Sequence, residues 1–389
     1  MAAPREQEGA RRAGAPVSGT TSFWLDEPYE PRPPLAGDAE VEACVIGAGV
    51  AGLSCARSLA QRGVETVVLE RDTVAGGASG RNGGFLLAGM AAFYHDARER
   101  HGAERARDTY ARTLAAQQEI YALAAELGAG DAVRRTGLLR VSASQQEADD
   151  VRRQVAALRA DGFPAEPVER DQLPPALRRS FHNACLTDHD GALQPARWIK
   201  ALAGAAERAG ARIHEGTEVH GPVEPGAVRT RAGSVRARHV VVAADGALAA
   251  LVPGVPVRAR RLHMVATEPL PERLVDCPVY ARFGYEYFQQ APDGRLLAGG
   301  FSDLDGEGSY TDRDEGSAEV WDRIGRYLAD DLGVEAPITH RWVGTVGYSE
   351  DGLPVIGERD GVYVAGGYSG HGNVLGYLAG QQLADLIAG

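Results

Sequence analysis

The sequence predicts a mixed α/β (α+β) fold in which a strand-helix-strand nucleotide unit is interleaved with an antiparallel sheet. Three observations lead there. The run Val45-Ile46-Gly47-Ala48-Gly49-Val50-Ala51-Gly52 joins an apolar strand to an amphipathic segment, and Val67-Val68-Leu69-Glu70 follows as a second strand closed by an acid. Segments of the same kind return near the middle, at Val240-Val241-Val242-Ala243-Ala244, and at the end, at Val362-Tyr363-Val364-Ala365-Gly366-Gly367. Between those two, residues 255–301 are strand-like, with two-residue alternation in Tyr285-Glu286-Tyr287-Phe288.

Each glycine of the first turn has its own reason. Gly47 lets the chain turn off the strand, Gly49 removes a side chain where a pyrophosphate must approach, and Gly52 lets the helix pack on the sheet. Phosphates then sit at a helix N-terminus, beside Ala48, Val50 and Ala51, where unpaired N–H groups and the dipole favour negative charge. Glu70, followed by Arg71, arrives where a carboxylate accepts both hydroxyls of an adenosine ribose and repels a 2′-phosphate. NADP is therefore disfavoured.

The remaining elements follow in order. Residues 1–40 read as a tail, disordered at first and then proline-rich from Phe23 to Leu35, with aromatics that could hold it extended against the body. A glycine-dense loop runs from Gly76 to Phe85. Tyr110, Leu114, Tyr121 and Leu127 recur at helical spacing within residues 103–127, and a strand at Leu138–Val141 and a helix at Gln145–Ala160 come next. Gly191-Ala192-Leu193-Gln194-Pro195 leads into a helix through Glu207, then a strand from Ala211 to Val219 and a hairpin turning at Ala232-Gly233-Ser234. The strand at Val240 ends in Asp245-Gly246, and Pro292-Asp293-Gly294 marks a further turn. A helix from Glu319 to Leu332 precedes the run Trp342–Gly357, and the last strand passes through Tyr368–Asn373 into a helix from Val374.

Composition narrows the function. Hydrophobic residues at 44% and charged residues at 24% are those of an ordinary globular protein, and a net charge of −12 argues against nucleic acid or an anionic membrane surface as partner. No stretch approaches the ~20 apolar residues that span a bilayer. Met1–Val17 lacks the apolar core of a secretory leader, and Cys44, Cys55, Cys185 and Cys277 form no CxxC pair and no metal spacing. The expectation is a reduced, cytoplasmic protein without a metal site. His182, His189 and Asp190 lack a third ligand and read as a surface loop. Arg258-Ala259-Arg260-Arg261 reads as a solvated strand face or ion-pair partner, and Lys200 is the only lysine, which excludes mechanisms needing two.

Nucleotide-type segments at the start, middle and end separate this chain from a simple dehydrogenase, where one contiguous half holds NAD. A cofactor that needs protein along its whole length explains the interleaving, and FAD is one. The expected division is a Rossmann-like FAD-binding domain of residues 41–100, 190–254 and 340–389, interleaved with an antiparallel-sheet substrate domain of residues 101–189 and 255–339.

At this point the sequence resembles the FAD-dependent D-amino-acid oxidase and glycine/sarcosine oxidase superfamily over residues 40–389. The resemblance rests on the nucleotide unit with Glu70, the Gly77–Gly84 loop, Asp351-Gly352-Leu353-Pro354-Val355-Ile356-Gly357, and Gly366–Gly372 before the last helix. Ser79-Gly80-Arg81-Asn82-Gly83-Gly84, the leader around Trp24, and Gly367-Tyr368-Ser369-Gly370-His371-Gly372 look most like the γ-glutamylputrescine oxidase branch. The resemblance implies an FAD domain of glutathione-reductase type and non-covalent FAD. It assigns Gly47, Gly49 and Gly52 to the pyrophosphate and Glu70 to the ribose. It places Ala78, Ser79, Arg81 and Asn82 beside the flavin and ribityl chain, and Gly370, His371, Gly372 and Asn373 near the pyrimidine. Arg71, Gly77, Gly83, Gly84, Val219, Ala244, Gly246 and Val374 complete the expected cofactor set.

The implied chemistry is hydride transfer from a C–H beside an amine nitrogen to flavin N5, then hydrolysis of the imine, with oxygen or another acceptor taking the electrons. A glycine turn at a helix N-terminus presents donors to the charge that reduction puts on the N1/C2=O edge. His371 has two readings, a positive edge beside that charge or packing alone.

Two departures bear on substrate. Ala291 stands where glycine-oxidase-like members carry a carboxylate-binding arginine, which argues for an amine rather than a simple α-amino acid, unless Arg282 supplies the guanidinium. Tyr285, Tyr287, Phe288 and Gln289 are candidates for the substrate wall, about half of them destined for the sheet core by alternation. Gly344 falls where sarcosine-oxidase-like members tether the ring through cysteine, and Trp342 is a candidate for packing near the flavin. The named catalytic candidates are thus Tyr287, Gln289, His371 and Arg282.

The first functional reading is oxidation of a primary or secondary amine to an aldehyde. The alternatives are an amino-acid oxidase or dehydrogenase of the same fold, and a flavin-binding assembly subunit or sensor. The expected partner is a small-molecule amine, with no nucleic acid and no membrane insertion, and the pattern implies no oligomeric state.

Overall fold

A computed structural model describes residues 17–18 and 21–389; the disorder expected at the start of the tail lies outside the described residues. In chain order, Val17–Ser18 (β1), Ala39–Ile46 (β2), the helix Val50–Gln61 (α1), Thr66–Leu69 (β3) and Phe85–Leu86 (β4) come first. Helices Tyr94–His101 (α2) and Ala103–Glu126 (α3) lead to Val133–Arg135 (β5), Leu138–Val141 (β6), helix Gln145–Ala160 (α4), Glu166–Glu169 (β7), Asn183–Thr187 (β8) and Gly191–Leu193 (β9). Helix Pro195–Arg208 (α5) precedes Arg212–His214 (β10), Ala227–Arg229 (β11), Ser234–Val242 (β12) and the short helix Leu248–Leu251 (α6). Then come Val257–Pro269 (β13), Val279–Ala281 (β14), Glu286–Gln290 (β15), Arg295–Gly300 (β16), Glu315–Gly316 (β17) and helix Ala318–Arg326 (α7). Ile338–Ser349 (β18), Val355–Arg359 (β19), Val362–Gly366 (β20) and helix Gly372–Ala388 (α8) close the chain.

The nucleotide-type segments meet in one sheet. Its order is β10-β3-β2-β12-β20-β19, parallel from β10 to β20, with β11 paired to β12. The ends of β2 and β12 are apolar residue after residue because helices cover the sheet: Ala43, Cys44, Val45 and Ile46 are all buried, as are Val240, Val241 and Val242. Helix α1 packs against α8 and α5 through small residues, and a β-carbon on Gly380 would stand 2.3 Å from the carbonyl oxygen of Ala51.

The strand-like middle forms the larger sheet, β18-β13-β16-β15-β14-β6-β8-β7, antiparallel except for the β14–β6 pair. One face packs Val265, Phe288, Leu296 and Val343 with Trp321, Ile324 and Tyr327, from α7 and the turn after it. The other face carries a register row in which Arg140, Tyr280, Tyr287, Gly299, Met264 and Trp342 lie side by side on six adjacent strands. Directly paired residues point to the same side of a sheet, so this row makes one wall. Gly299 is needed in it, since a β-carbon there would meet Met264 Sδ at 2.2 Å and the Tyr287 ring at 2.7 Å.

Several expectations shift. The strand foreseen from Ala211 to Val219 holds its ladder only over Arg212–His214, and Val219 instead makes a single bridge to Thr230. The buried stripe of α3 runs through Ala106, Tyr110, Thr113, Gln117, Ile120 and Ala124, with Leu114 and Tyr121 on its margin. Ile338–Ser349 pairs along β13 in the larger sheet, whereas the sequence pattern assigns residues from 340 onward to the FAD unit. The alternating Trp342, Gly344, Val346 and Tyr348 explain why, since they share the face of the Arg140–Trp342 row. His189 and Asp190 do not lie on a surface loop: Asp190 is buried and accepts hydrogen bonds from the amide of Ala88, Gln117 and Thr187.

Candidate active site

The turn after β2 is built as its spacing requires. Gly47 has φ +105°, and a β-carbon on Gly52 would stand 1.9 Å from the Gly47 carbonyl oxygen. Gly49 ends at Ser79, whose hydroxyl accepts from the Val50 amide at 3.0 Å and would lie 2.9 Å from a β-carbon on Gly49. Glu70 accepts from the amides of Ala48 at 2.8 Å and Asp72 at 3.0 Å, and burial raises its pKa. The carboxylate expected at the ribose is therefore fixed against the glycine turn. Arg71 points away and pairs with Asp72.

The glycine loop 76–85 is held from four directions. Trp24 Nε1 donates to the Asn82 carbonyl at 2.8 Å and Trp342 Nε1 to that of Arg81 at 2.9 Å. Gln289 Nε2 donates to the carbonyls of Gly83 and Gly84 at 2.6 and 2.9 Å. The amides of Asn82 and Asn373 pair with each other at 3.2 and 3.3 Å, tying the loop to the start of α8. Trp342, a candidate for flavin packing, thus supports the loop, and Gln289 lies beneath it rather than on the substrate wall. A β-carbon on Gly84 would collide with Gln289 Nε2 at 2.4 Å, and one on Gly83 would press the Tyr287 ring at 3.1 Å.

Between the loop, the α1 N-terminus and the α8 N-terminus runs a cleft reached by Gly49, Val50, Ala51, Ala78, Ser79 and Asn82 on one side and Gly370, Gly372 and Asn373 on the other. Asp245, Ala243 and Tyr368 also border it; all three lie in segments singled out from the sequence, but none is in the cofactor set expected there. Asp245 is a brace: Oδ2 accepts from the Gly347 amide at 2.8 Å and Oδ1 from the Gly367 amide at 3.0 Å, joining the ends of β12, β18 and β20. Burial pushes its carboxyl up to about 6. Gly246 packs on Thr345 beside it, Ala244 is half-buried at the same strand end, and Val374 is buried in the first turn of α8. These two helix N-termini, the glycine approach and the buried acid suit a dinucleotide with a ring at the α8 end. None of the four cysteines borders this cleft or the cavity beyond it, so the cofactor has no cysteine tether.

The cleft opens into a cavity of about 550 Å³ walled by Tyr280, Tyr287 and Tyr348 from the larger sheet and by Phe85 and His371 opposite. Tyr280 meets Tyr287 at 6.3 Å and His371 edge-on at 5.8 Å. Burial raises both tyrosines far above their ordinary range. His371 is pushed down to about 4 by burial and then by the charge of Arg140, so it stays neutral and does not supply the positive edge considered from sequence. Phe288, a wall candidate, points into the opposite core.

Arg282 is not in the cavity. It turns at φ +48° and pairs with Asp303 and Glu286. Four other arginines border the cavity, Arg81, Arg100, Arg140 and Arg260, and Asp96, Glu350 and Asp351 share its lining. Of the four, Arg140 on β6 and Arg260 on β13 are buried, each 8% exposed. Arg258 and Arg261 pair with Glu307 and Asp305, as read from sequence; Arg260 shares the face of β13 with Arg258, both lying against the Tyr310 ring, while Arg261 points to the other side. A single charge inside the apolar strand Leu138-Leu139-Arg140-Val141 is the sequence signal that marks Arg140.

Among the described residues no His/Cys/Asp/Glu cluster could hold a metal, and no helix is long and apolar enough to cross a membrane. A family profile described as FAD dependent oxidoreductase matches residues 42–386. The probable oxidoreductase OrdL of Rhizobium meliloti (strain 1021) is 30% identical over 396 residues, covering 96% of this chain and 90% of that protein. The gamma-glutamylputrescine oxidoreductase of Escherichia coli (strain K12) is 28% identical over 382 residues, covering 93% and 87%. The crystal structure of glycine oxidase from Geobacillus kaustophilus superposes with a TM-score of 0.77 at 25% identity, covering 90% of this chain and 95% of that one. With the cleft, the interleaved sheets and these matches in agreement, the chain belongs to the DAO family of FAD-dependent oxidoreductases, enzymes of amines and amino acids.

Proposed function

We propose that the protein oxidises a C–N bond of a primary or secondary amine, giving an imine that water hydrolyses to a carbonyl compound, with dioxygen taking the electrons. Bound FAD would supply the two-electron acceptor for the hydride on the carbon beside nitrogen. The observation that supports the reading is the tyrosine-walled cavity opening onto the α8 end of the cleft. The residues expected at the cofactor divide the work. Gly49 would admit the pyrophosphate at the turn that Gly47 and Gly52 shape by their close packing on Ala243 and on each other, Glu70 would take the ribose, and the N–H groups at Gly370, Gly372 and Asn373 would serve the ring edge where charge builds. Tyr280 and Tyr287 position the substrate carbon and exclude water, and His371, being neutral, adds no further positive charge beside the amine nitrogen. The step calls for the neutral amine, whose proton is given up to solvent on entry, so no strong acid or base is needed in the cavity.

The amino-acid reading is not tied to Arg282, which is committed elsewhere, but Arg140 and Arg260 support it in its place. The test is an anaerobic spectrum of the purified holoprotein before and after putrescine, γ-glutamylputrescine, sarcosine, glycine and D-alanine. Bleaching of the flavin bands by an amine, with peroxide formed on admitting air, supports the reading; no bleaching by any member while dithionite still reduces the flavin overturns it.

A further inference from the structure

Of the four arginines on the cavity, the two that are buried, Arg140 and Arg260, are unlike their neighbours. Arg258, Arg261 and Arg282 each have a carboxylate within ion-pair distance, whereas among the described residues Arg140 and Arg260 have none. Arg140 lies over the rings of Phe93 at 4.4 Å and Tyr280 at 5.2 Å and donates once, to the Ala91 carbonyl at 3.2 Å. Arg260 lies 4.9 Å from the Tyr348 ring and 5.2 Å from that of Tyr310, and its Nε donates to Ser309 Oγ at 3.1 Å. Aromatic rings thus occupy the faces of both guanidiniums, while most of the five in-plane donors of each have no protein acceptor. A desolvated, unpaired cation is costly, and an anion that arrives with the ligand removes that cost.

Their placement sets the spacing. Arg140 heads the register row on β6, and Arg260 lies on β13, four strands across and four residues beyond Met264 of the same row. Four strand spacings are roughly 19 Å of sheet, so the guanidiniums approach the cavity from opposite corners, with Tyr280 and Tyr287 between them. One carboxylate cannot serve both.

We infer that the natural substrate is an extended amine carrying a carboxylate at each end, one held by Arg140 and the other by Arg260, with the C–N bond between them against Tyr280 and Tyr287. The two-anion site stands on this geometry, and its role as a substrate site rests on the proposed amine chemistry.

The test uses matched pairs on the holoprotein: N-carboxymethyl derivatives of glycine, β-alanine and 4-aminobutyrate against the N-methyl derivatives, which lack the second carboxylate. The expected result is that one N-carboxymethyl compound bleaches the flavin at a half-saturating concentration at least about tenfold below its N-methyl partner. Arg140→Gln and Arg260→Gln should each erase that advantage, and Arg140→Lys and Arg260→Lys, which keep the charge if the glutamine variants misfold, should retain part of it. Calorimetric titration with succinate, glutarate and adipate against butyrate gives a readout independent of turnover. Equal half-saturation within every pair, or an advantage that survives loss of either guanidinium, overturns the inference while leaving amine oxidation standing. Dicarboxylates that bind through both arginines, with no amine bleaching the flavin, overturn the amine chemistry and leave the two-anion site standing.

Discussion

Arg282 and Asp303 are joined by two parallel hydrogen bonds, Nη1 to Oδ2 at 2.9 Å and Nη2 to Oδ1 at 3.0 Å, while Nε of the same guanidinium reaches buried Glu286 at 2.7 Å. This pairing spends Arg282 on the fold. An Arg282→Ala variant should lose about 1–3 kcal/mol in denaturant unfolding, since Glu286 is left without its partner, and keep KM for any bleaching amine within about twofold. A tenfold rise in KM at unchanged stability would return Arg282 to the substrate.

Gln289 acts through the loop it holds. Removing its two bonds takes the side-chain donor from the half-buried Gly83 carbonyl and leaves that of Gly84 with the Leu193 amide alone, which loosens the loop, so Gln289→Ala should weaken FAD retention by about tenfold to a hundredfold. Flavin released on dilution measures this. A variant that holds FAD normally but loses substrate binding would place Gln289 on the wall after all.

The close approach of Gly52 to Gly47 predicts a steep effect. Gly52→Ala should yield protein that is colourless or insoluble, because the colliding atom belongs to the backbone of the turn itself. Gly130→Ala, where a β-carbon meets nothing within 4 Å, should retain its flavin spectrum. Full FAD content in Gly52→Ala would contradict the packing described.

For His371 the expected outcome is silence near neutral pH. With its pKa pushed down to about 4, the imidazole is uncharged throughout the range where amines are assayed. The pH profile of flavin reduction should show no limb near 6.5 that His371→Gln removes, and the imidazole resonance of His371 should not titrate above pH 5.5. A resonance moving near 6.5 would refute the buried placement beside Arg140.

Asp245 predicts the opposite sign from a salt-bridged acid. Its folded pKa is raised from 3.8 to about 6, so the folded state binds the proton more tightly and this group's stabilisation is present below pH 3.8 and lost as pH rises through 6. The stability of the wild type relative to Asp245→Asn should therefore fall between pH 4 and 7.5, by an amount on the order of 3 kcal/mol. Unfolding midpoints of both proteins at the two pH values measure it. A difference that grows with pH would show that the amides of Gly347 and Gly367 outweigh desolvation.

The nucleotide half of the fold was legible in the sequence because its signals are local. Gly47, Gly49, Gly52 and Glu70 lie within one strand-helix-strand unit, and the turn, the helix start and the strand end are set by backbone sterics and spacing over a few residues. The helices Gln145–Ala160 and Pro195–Arg208 were readable for the same reason. The cavity was not. Which of Arg258, Arg260 and Arg261 faces it, whether Arg282 or Arg140 reaches it, and that Trp342 props the loop at Arg81 depend on the register of β13, β18, β14 and β6. A shift of one residue in any of these strands reverses every side chain, and residues 140, 260, 280 and 371 are brought together only by pairing across the sheet and by the end of the last helix. The sequence by itself determined the glycine-lined cleft, whose shape is carried by neighbours along the chain; tertiary structure alone decided the cavity wall, because strand pairing over long separations chooses which charges are buried without a partner.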